Sequence, residues 1–580
     1  MNIRDRLTAL QMRPRNTELL HRPVRLLCPV QYVTHSSGAL ASTQPREAPM
    51  SNVITDSMRD PGTPDDVVVT ATAREPVTDP TLGIAVAAAG ADAAVPPNRL
   101  VTIGDSLTQG FQSGAVFHTD LSWPAIVAWE LGWYDQFRKP VYGGPGGLPL
   151  NIELLLRDLE HRFGADLDWW EFPLALFQGR QFMDRVEDYW ERGPGSSFPN
   201  VTGINHNLAI YGWDLRDTLE RTWASSQAQL KAPKDDLLSQ TVENNGQRAA
   251  MYVLPSVPKR TQSLTPLGAA ADLGGQGGQD ADGIETLVIM LGANNALGSV
   301  TGLKVVWSAA GYDDLRRKEQ YSVWRPTHFE AELGHLAAEV RKIKARHVIW
   351  STVPHVTIAP IARGLGGKVA PGSRYFPYYT RPWIDERRFD AHRDPNITAA
   401  QARAVDSAID QYNDAIVEVV RAARNDGRDW YVLEVAGLLD RLAARRYLDD
   451  PLARPPWWTP YELPTALRLL SPVPDSRFLL GGPRGRISGG LFSLDGVHPT
   501  TVAYGLLAQE IINIMQLAGV RFFSQNGQVE RTGPVSVDFE RLVRLDTLIT
   551  SPPALLTTGL GVLGWADQAL DAIKLSLPFG

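Results

Sequence analysis

Cysteine is almost absent: Cys28 is the only one in 580 residues. That excludes an internal disulfide framework and any zinc site built on cysteine, while leaving the compartment open, since many secreted enzymes also lack the residue. An excess of positive charge is missing as well. The formal net charge is −7, without the broad basic footprint that a DNA or RNA binder needs, so nucleic acid is excluded as a partner. The eleven histidines include no His-Glu-x-x-His pair, so no catalytic metal and no cofactor is expected. Glycine clusters at Gly143–Gly147, Gly274–Gly278 and Gly481–Gly490 lack the Lys-Ser/Thr ending of a phosphate loop and read as flexible connections. Near Met1 no positively charged stretch leads into an uninterrupted apolar run. A secretory signal is therefore not expected, and the cytoplasm is the default compartment. With hydrophobic residues at 43% and charged residues at 21%, collagen-like, coiled-coil and wholly disordered chains are also excluded.

Composition divides the chain. From Met1 to Pro49 there are seven Arg, no Lys and three acids, a charge balance opposite to the rest. The break falls at Met50, so residues 1–49 read as lying upstream of the true start. Asp, Thr, Pro and Ala then dominate, and residues 1–97 as a whole read as a disordered leader. Residues 98–520 form the main domain, and residues 521–580 a C-terminal extension. Within that extension, Thr547 to Ala566 is uncharged and about as long as a membrane span, but Pro552-Pro553 and Gly559, Gly561 and Gly564 argue against crossing. Packing on the main domain is the plainer reading, and contact with a membrane surface the alternative.

Five short apolar runs punctuate the main domain: Leu100–Ile103, Leu208–Tyr211, Leu287–Leu291, Val348–Trp350 and Trp430–Leu433. They are continuous rather than alternating, as strands buried on both faces of a parallel sheet must be. Helical patterns lie between them. The clearest opens with Thr398 and Gln401 as a capping box, places Val405, Ile409, Tyr412, Ile416 and Val419 on one face, and stops near Gly427. Alternating strands and helices predict an α/β fold: a doubly wound, flavodoxin-like three-layer sandwich with a five-stranded parallel sheet, large loop insertions and a C-terminal helical extension. The insertions fall near 134–205, 230–284 and 359–396, because five strands with short connections cannot use so long a chain.

In such sheets the active groups sit beyond the carboxyl ends of the strands. After the first run comes Gly104-Asp105-Ser106-Leu107, after the second Gly212, after the third Gly292-Ala293-Asn294-Asn295, and a late loop gives Asp495-Gly496-Val497-His498. Any one block is common. The ordered set, each beside a predicted strand or loop, resembles the GDSL or SGNH hydrolases over roughly residues 100–517. Acyl transfer needs a nucleophile, a base, a group orienting the base, and donors for the oxyanion. Ser106, at a strand-to-helix turn, fits the nucleophile. His498 fits the base, since an unperturbed imidazole accepts and returns a proton near neutrality. Asp495, three residues earlier, can orient it. The resemblance implies an oxyanion hole formed by the backbone N–H groups of Ser106 and Gly212 and the side-chain amide of Asn294. Glycine's close approach and an amide that donates without titrating suit that role. One departure is Asn295, where the family commonly has Asp, with a structural consequence expected.

Other readings compete. Thr108 occupies the position where Gly-x-Ser-x-Gly requires its second glycine, so a nucleophile elbow of the α/β-hydrolase type is not indicated. Gly212 also fits a plain tight turn. His355, after the fourth predicted strand, is a second candidate base or pocket-lining residue. The insertions are rich in aromatics: Trp169, Trp170, Phe172, Phe177 and Trp190, then Tyr375, Phe376, Tyr378, Tyr379 and Trp383. These build either a lid and acyl pocket or a second small core. Helical spacing of Leu154, Leu155, Leu159 and Phe163 predicts inward packing. The resemblance implies a carboxylic ester hydrolase, an esterase or lipase acting on a small-molecule or lipid ester through an acyl-enzyme. The alternatives are a carbohydrate acetylesterase, an acyltransferase on the same site, or a non-catalytic binding module that kept the fold.

Overall fold

Four of the five apolar runs form a parallel sheet in the computed structural model, which describes residues 54–87, 94–167, 170–232, 242–278, 281–525 and 527–556. The strands are β1 (Asn98–Gly104), β2 (Ile284–Met290), β3 (Ala345–Ser351) and β4 (Trp430–Leu433), hydrogen-bonded side by side in that order. Register is set by Val101 opposite Leu287, Leu287 opposite Val348, and Val348 opposite Trp430. Along each strand, successive side chains enter different cores. Val101, Ile103, Leu287, Ile289, Val348, Trp350, Trp430 and Val432 pack into one, and Leu100, Val288, Met290, Ile349, Tyr431 and Leu433 into the other. Both faces are covered, which is why the runs are apolar without alternation.

The fifth expected strand does not form. Residues 206–210 run beside β1, where Leu208 N–H donates to Thr102 O and Ile210 N–H to Gly104 O, but only Thr102 and Asn207 complete a bridge. On the outer side, the N–H groups of Ala209 and Tyr211 go to the side chains of Asn207 and Gln109.

The helices used below are, in chain order, α1 (Ser106–Gln109), α2 (Trp123–Glu130), α3 (Ile152–Phe163), α4 (Asn294–Thr301), α5 (Pro326–Val340), α6 (Ala399–Asn425), α7 (Val435–Leu442), α8 (Thr501–Leu517) and α9 (Phe539–Leu545). Helices α4, α5 and α6 contribute to the first core, and α2, α7, α8 and α9 to the second. The capping box at the start of α6 is complete, with Gln401 N–H donating to Thr398 Oγ1 and Thr398 N–H to Gln401 Oε1. Satisfying two otherwise orphaned donors there fixes where this long helix begins.

A mobile leader reaching residue 97 is not what the described part of that segment forms. Residues 54–87 belong to the same compact unit as the rest of the described residues. Val67 is buried in the first core, Arg74 pairs with Asp414 and Glu434, Pro80 O accepts from Val432 N–H, and Ile84 O accepts from Arg424. The C-terminal residues also pack on the domain: Leu548 and Leu555 enter the first core, and Phe539 and Leu542 the second. Among the described residues no helix is long and apolar enough to cross a membrane. The expectations for residues 1–49 and 557–566 lie outside the described residues.

The first two insertions build a third core of their own. Tyr142, Leu155, Phe182, Val186 and Trp190 pack there with Tyr211, Trp213 and Met251. Leu159 is buried in the first core, and Leu154 and Phe163 are partly buried against the third and first cores.

Candidate active site

Gly104 ends β1, and Ser106 opens the single-turn helix α1 directly beyond it. Asp105 is the N-cap, its Oδ1 accepting from Leu107 N–H at 3.0 Å. Gly110 closes the turn in the left-handed region, with φ at 91°. This strand–turn–helix brings the Ser106 hydroxyl to His498, with Oγ 2.8 Å from Nε2. On the other side of the ring, Nδ1 lies 3.0 Å from Asp495 Oδ2. All three side chains are buried, and they span 392 positions of sequence.

Asp495 is held on every side. Its Oδ1 accepts from the backbone N–H of Val497 at 2.9 Å and of His498 at 2.8 Å, while Oδ2 also accepts from Gly114 N–H at 2.9 Å. Burial by itself would raise this carboxyl, but His498, through its charge and its ring hydrogen bond, and the backbone N–H groups of His498 and Val497 outweigh it and hold it below the usual carboxylate range. Ser113 N–H donates to Ser493 Oγ at 2.9 Å, so the loop after α1 clamps the loop carrying Asp495 and His498. The Phe111 ring leans on the imidazole, with centroids 4.5 Å apart. These four residues, Phe111, Ser113, Gly114 and Ser493, were not legible as site residues. Only Gly114, a glycine in a Ser-Gly turn with φ at 83°, carries a local signal.

Asp105 is the other carboxyl close by. It is buried, its Oδ2 has no hydrogen-bond partner, and burial pushes it up to about 7. A residue type favoured at N-caps was visible at this position, but the missing second partner was not.

The three expected oxyanion donors sit on loop ends that are tied together. Gly104 O accepts from Ile210 N–H, Gln109 Oε1 accepts from Tyr211 N–H at 2.7 Å, and Asn294 Nδ2 donates to Trp213 O at 2.8 Å. Gly212 adopts φ of 76°, a conformation that favours glycine. Asn294 is the first residue of α4, and its Oδ1 is buried without a partner. Asn295 is wholly buried, and neither side-chain atom has a partner. A carboxylate there would be an uncompensated buried charge, so the neutral amide costs the fold less.

His355 does not fit a base. It lies buried between Asp410, 2.9 Å from Nε2, and Asp440, 3.2 Å from Nδ1. Burial would lower it, but Asp440, Asp410 and Asp406 together push it up to about 10, so it remains a cation at neutral pH. It does line the cavity that opens at Ser106.

That cavity encloses about 890 Å³, part of it open to solvent. Beside Ser106 and His498, its walls are almost entirely aliphatic: Leu297 of α4, Val356, Leu438 and Leu442 of α7, and Leu506 and Leu507 of α8. The aromatics of the insertions do not line it. Trp190 is buried in the third core, Phe177 and Trp170 are exposed, and Phe376 and Tyr379 line a different cavity. Trp169 and the side chain of Phe172 lie outside the described residues.

No known family model matches the chain, and no curated protein matches it.

Proposed function

We propose that this protein is a carboxylic ester hydrolase of the GDSL/SGNH type. The observation that carries the reading is the unbroken relay from Ser106 Oγ to His498 Nε2 and from Nδ1 to Asp495, at 2.8 and 3.0 Å. In this reading His498 takes the Ser106 proton as Oγ attacks the ester carbonyl, and Asp495 stabilises the imidazolium. The proton then passes to the departing alcohol. Water, activated by the same ring, cleaves the acyl-enzyme and restores Ser106. The N–H groups of Ser106 and Gly212 and the amide of Asn294 are assigned to the oxyanion. The segment 206–210, lying outside β1, is read as the degenerate second strand of a flavodoxin-like 2-1-3-4-5 order.

Aliphatic walls favour an ester with a sizeable apolar acyl chain over an acetylated sugar. Sugar rings are stacked on aromatic faces, and the exposed Trp170 is not among the residues around Ser106. A non-catalytic module would have little reason to keep a desolvated Ser-His-Asp relay.

Two measurements test the reading. A serine-directed fluorophosphonate should modify Ser106 in the full chain and fail to do so in His498→Ala; stoichiometric labelling at another serine overturns the assignment. On aryl esters of increasing chain length, kcat/KM should rise by about fourfold per methylene until the cavity is filled, whereas a preference confined to acetyl returns the acetylesterase.

A further inference from the structure

A second cavity lies behind the first, enclosing about 1160 Å³ including space open to solvent. The two share Ser476, whose Oγ accepts from Ala444 N–H and donates to Leu442 O, both at 2.8 Å. The wall between them is thin: Val356, Ala359 and Leu442 face the cavity at Ser106, while Thr357, Ile358, Pro360, Ala443 and Ala444 face the second. Their linings differ in kind. Five arginines, Arg363, Arg374, Arg445, Arg446 and Arg477, line the second cavity, and no acidic side chain does.

Two of these arginines are neutralised from behind. Arg446 pairs with Asp406 at 2.9 Å, and Arg477 pairs with Asp449 at 2.6 Å and with Asp475. The other three make no ion pair among the described residues. Arg363 Nη2 donates to Ile384 O at 2.8 Å, and Arg445 Nη1 donates to Gly364 O at 2.7 Å. Arg374 is only 5% exposed; its Nε donates to Tyr375 Oη at 2.8 Å, and both terminal nitrogens are buried without a hydrogen-bond partner. Burial opposes its charge, while Tyr375, Tyr447, Asp410 and Asp406 stabilise it. Nearby, burial and then Arg446 lower Lys368 to about 8, a sign of how crowded with positive charge this region is.

Guanidinium donors left unpaired away from water are costly unless an acceptor arrives. That description fits the terminal nitrogens of Arg374 and Nε of Arg363; with the partly exposed Arg445, three guanidiniums outside any ion pair among the described residues call for more negative charge than one carboxylate brings. A phosphate group carries about two charges and several acceptor oxygens, and the planar fork of arginine matches it. The cavity also exceeds a single ion in size and presents the rings of Phe376, Tyr379 and Phe478. We propose that this cavity is a binding site for a phosphorylated small molecule, distinct from the site at Ser106, with Arg363, Arg374 and Arg445 as its principal anion contacts.

The test is calorimetric titration of the full chain with pyrophosphate, inorganic phosphate and succinate at constant ionic strength. Because the readout is heat of binding, it is independent of whether Ser106 hydrolyses esters. Pyrophosphate should bind saturably and more tightly than succinate; weaker binding by inorganic phosphate would mark an organic or condensed phosphate as the natural form, and equal binding free phosphate. Arg363→Gln and Arg445→Gln, both partly exposed and neither in an ion pair among the described residues, should each weaken pyrophosphate by about tenfold or more. Arg421→Gln, on the outer surface of α6 beside Glu418, should leave binding unchanged. Absence of saturable binding, succinate binding at least as tightly as pyrophosphate, or equal weakening in Arg421→Gln would each overturn the proposal. If either cavity variant fails to fold, the unaltered protein can be treated with an arginine-directed dicarbonyl reagent. Pyrophosphate should then protect Arg445 from modification, and unchanged modification would overturn the site.

Discussion

Asn294 holds the carbonyl of Trp213 and is assigned to the oxyanion, and the two roles separate experimentally. If its amide meets developing charge, Asn294→Ala lowers kcat by about a hundred- to a thousand-fold with little change in KM. If it only fixes Trp213, thermal stability and KM shift while kcat holds. His355 gives a second prediction at this scale. Its value is about 10 in the folded chain against about 6.5 unfolded, so its contribution to stability is complete below pH 6.5. It is lost as pH rises from there through 10, because the folded state keeps a proton that the unfolded state has released. NMR titration should find one imidazole still protonated at pH 8.5, a signal absent in His355→Gln. Residue identity made Ser106, Asp495 and His498 readable, because the proposed acyl transfer uses those side-chain types and an Asp three residues before a His can lie beside it. It could not show His355 trapped among carboxylates contributed by α6 and α7.

Among elements, the turn after β1 is the most constrained. A Cβ on Gly104 would fall 2.8 Å from Met290 O and overlap the Thr108 side chain, so β1 could no longer sit against β2 with α1 folded over its end. Gly104→Ala should cost about 1–3 kcal/mol of stability. Turnover measured well below the melting temperature should fall further than that loss explains, since Ser106 is displaced. Four strands were legible because a sheet covered on both faces leaves a plain apolar signature. The run Leu208–Tyr211 carries the same signature yet makes only an incomplete ladder, since Asn207 and Gln109 side chains, invisible to any local pattern, take its outward N–H groups. For the aromatic insertions two readings stood open, a lid and acyl pocket or packing into a core, and composition alone could not choose between them. Trp190 lies in the third core and Tyr375, Phe376 and Tyr379 in the first, while the walls around Ser106 come from ordinary leucines of α7 and α8.

For the whole molecule, the largest departure from expectation is residues 54–87. A Pro- and Asp-rich stretch has no periodicity to read, and its anchors, Glu434, Asp414 and Arg424, lie some 340 to 360 positions away. Neither margin of the sheet is bare: residues 206–210 run beside β1, and the outward N–H of Val432 on β4 is taken by Pro80. A polypeptide begun at residue 98, where the composition suggests the domain starts, would keep every group placed around Ser106. It would also present β4 unshielded, an invitation to pair with another molecule. Such a shortened protein should therefore elute from a sizing column as a growing aggregate while its remaining monomer still reacts with fluorophosphonate. The stretch that looks dispensable when read by itself would then be what keeps this margin of the sheet from adhering to its like.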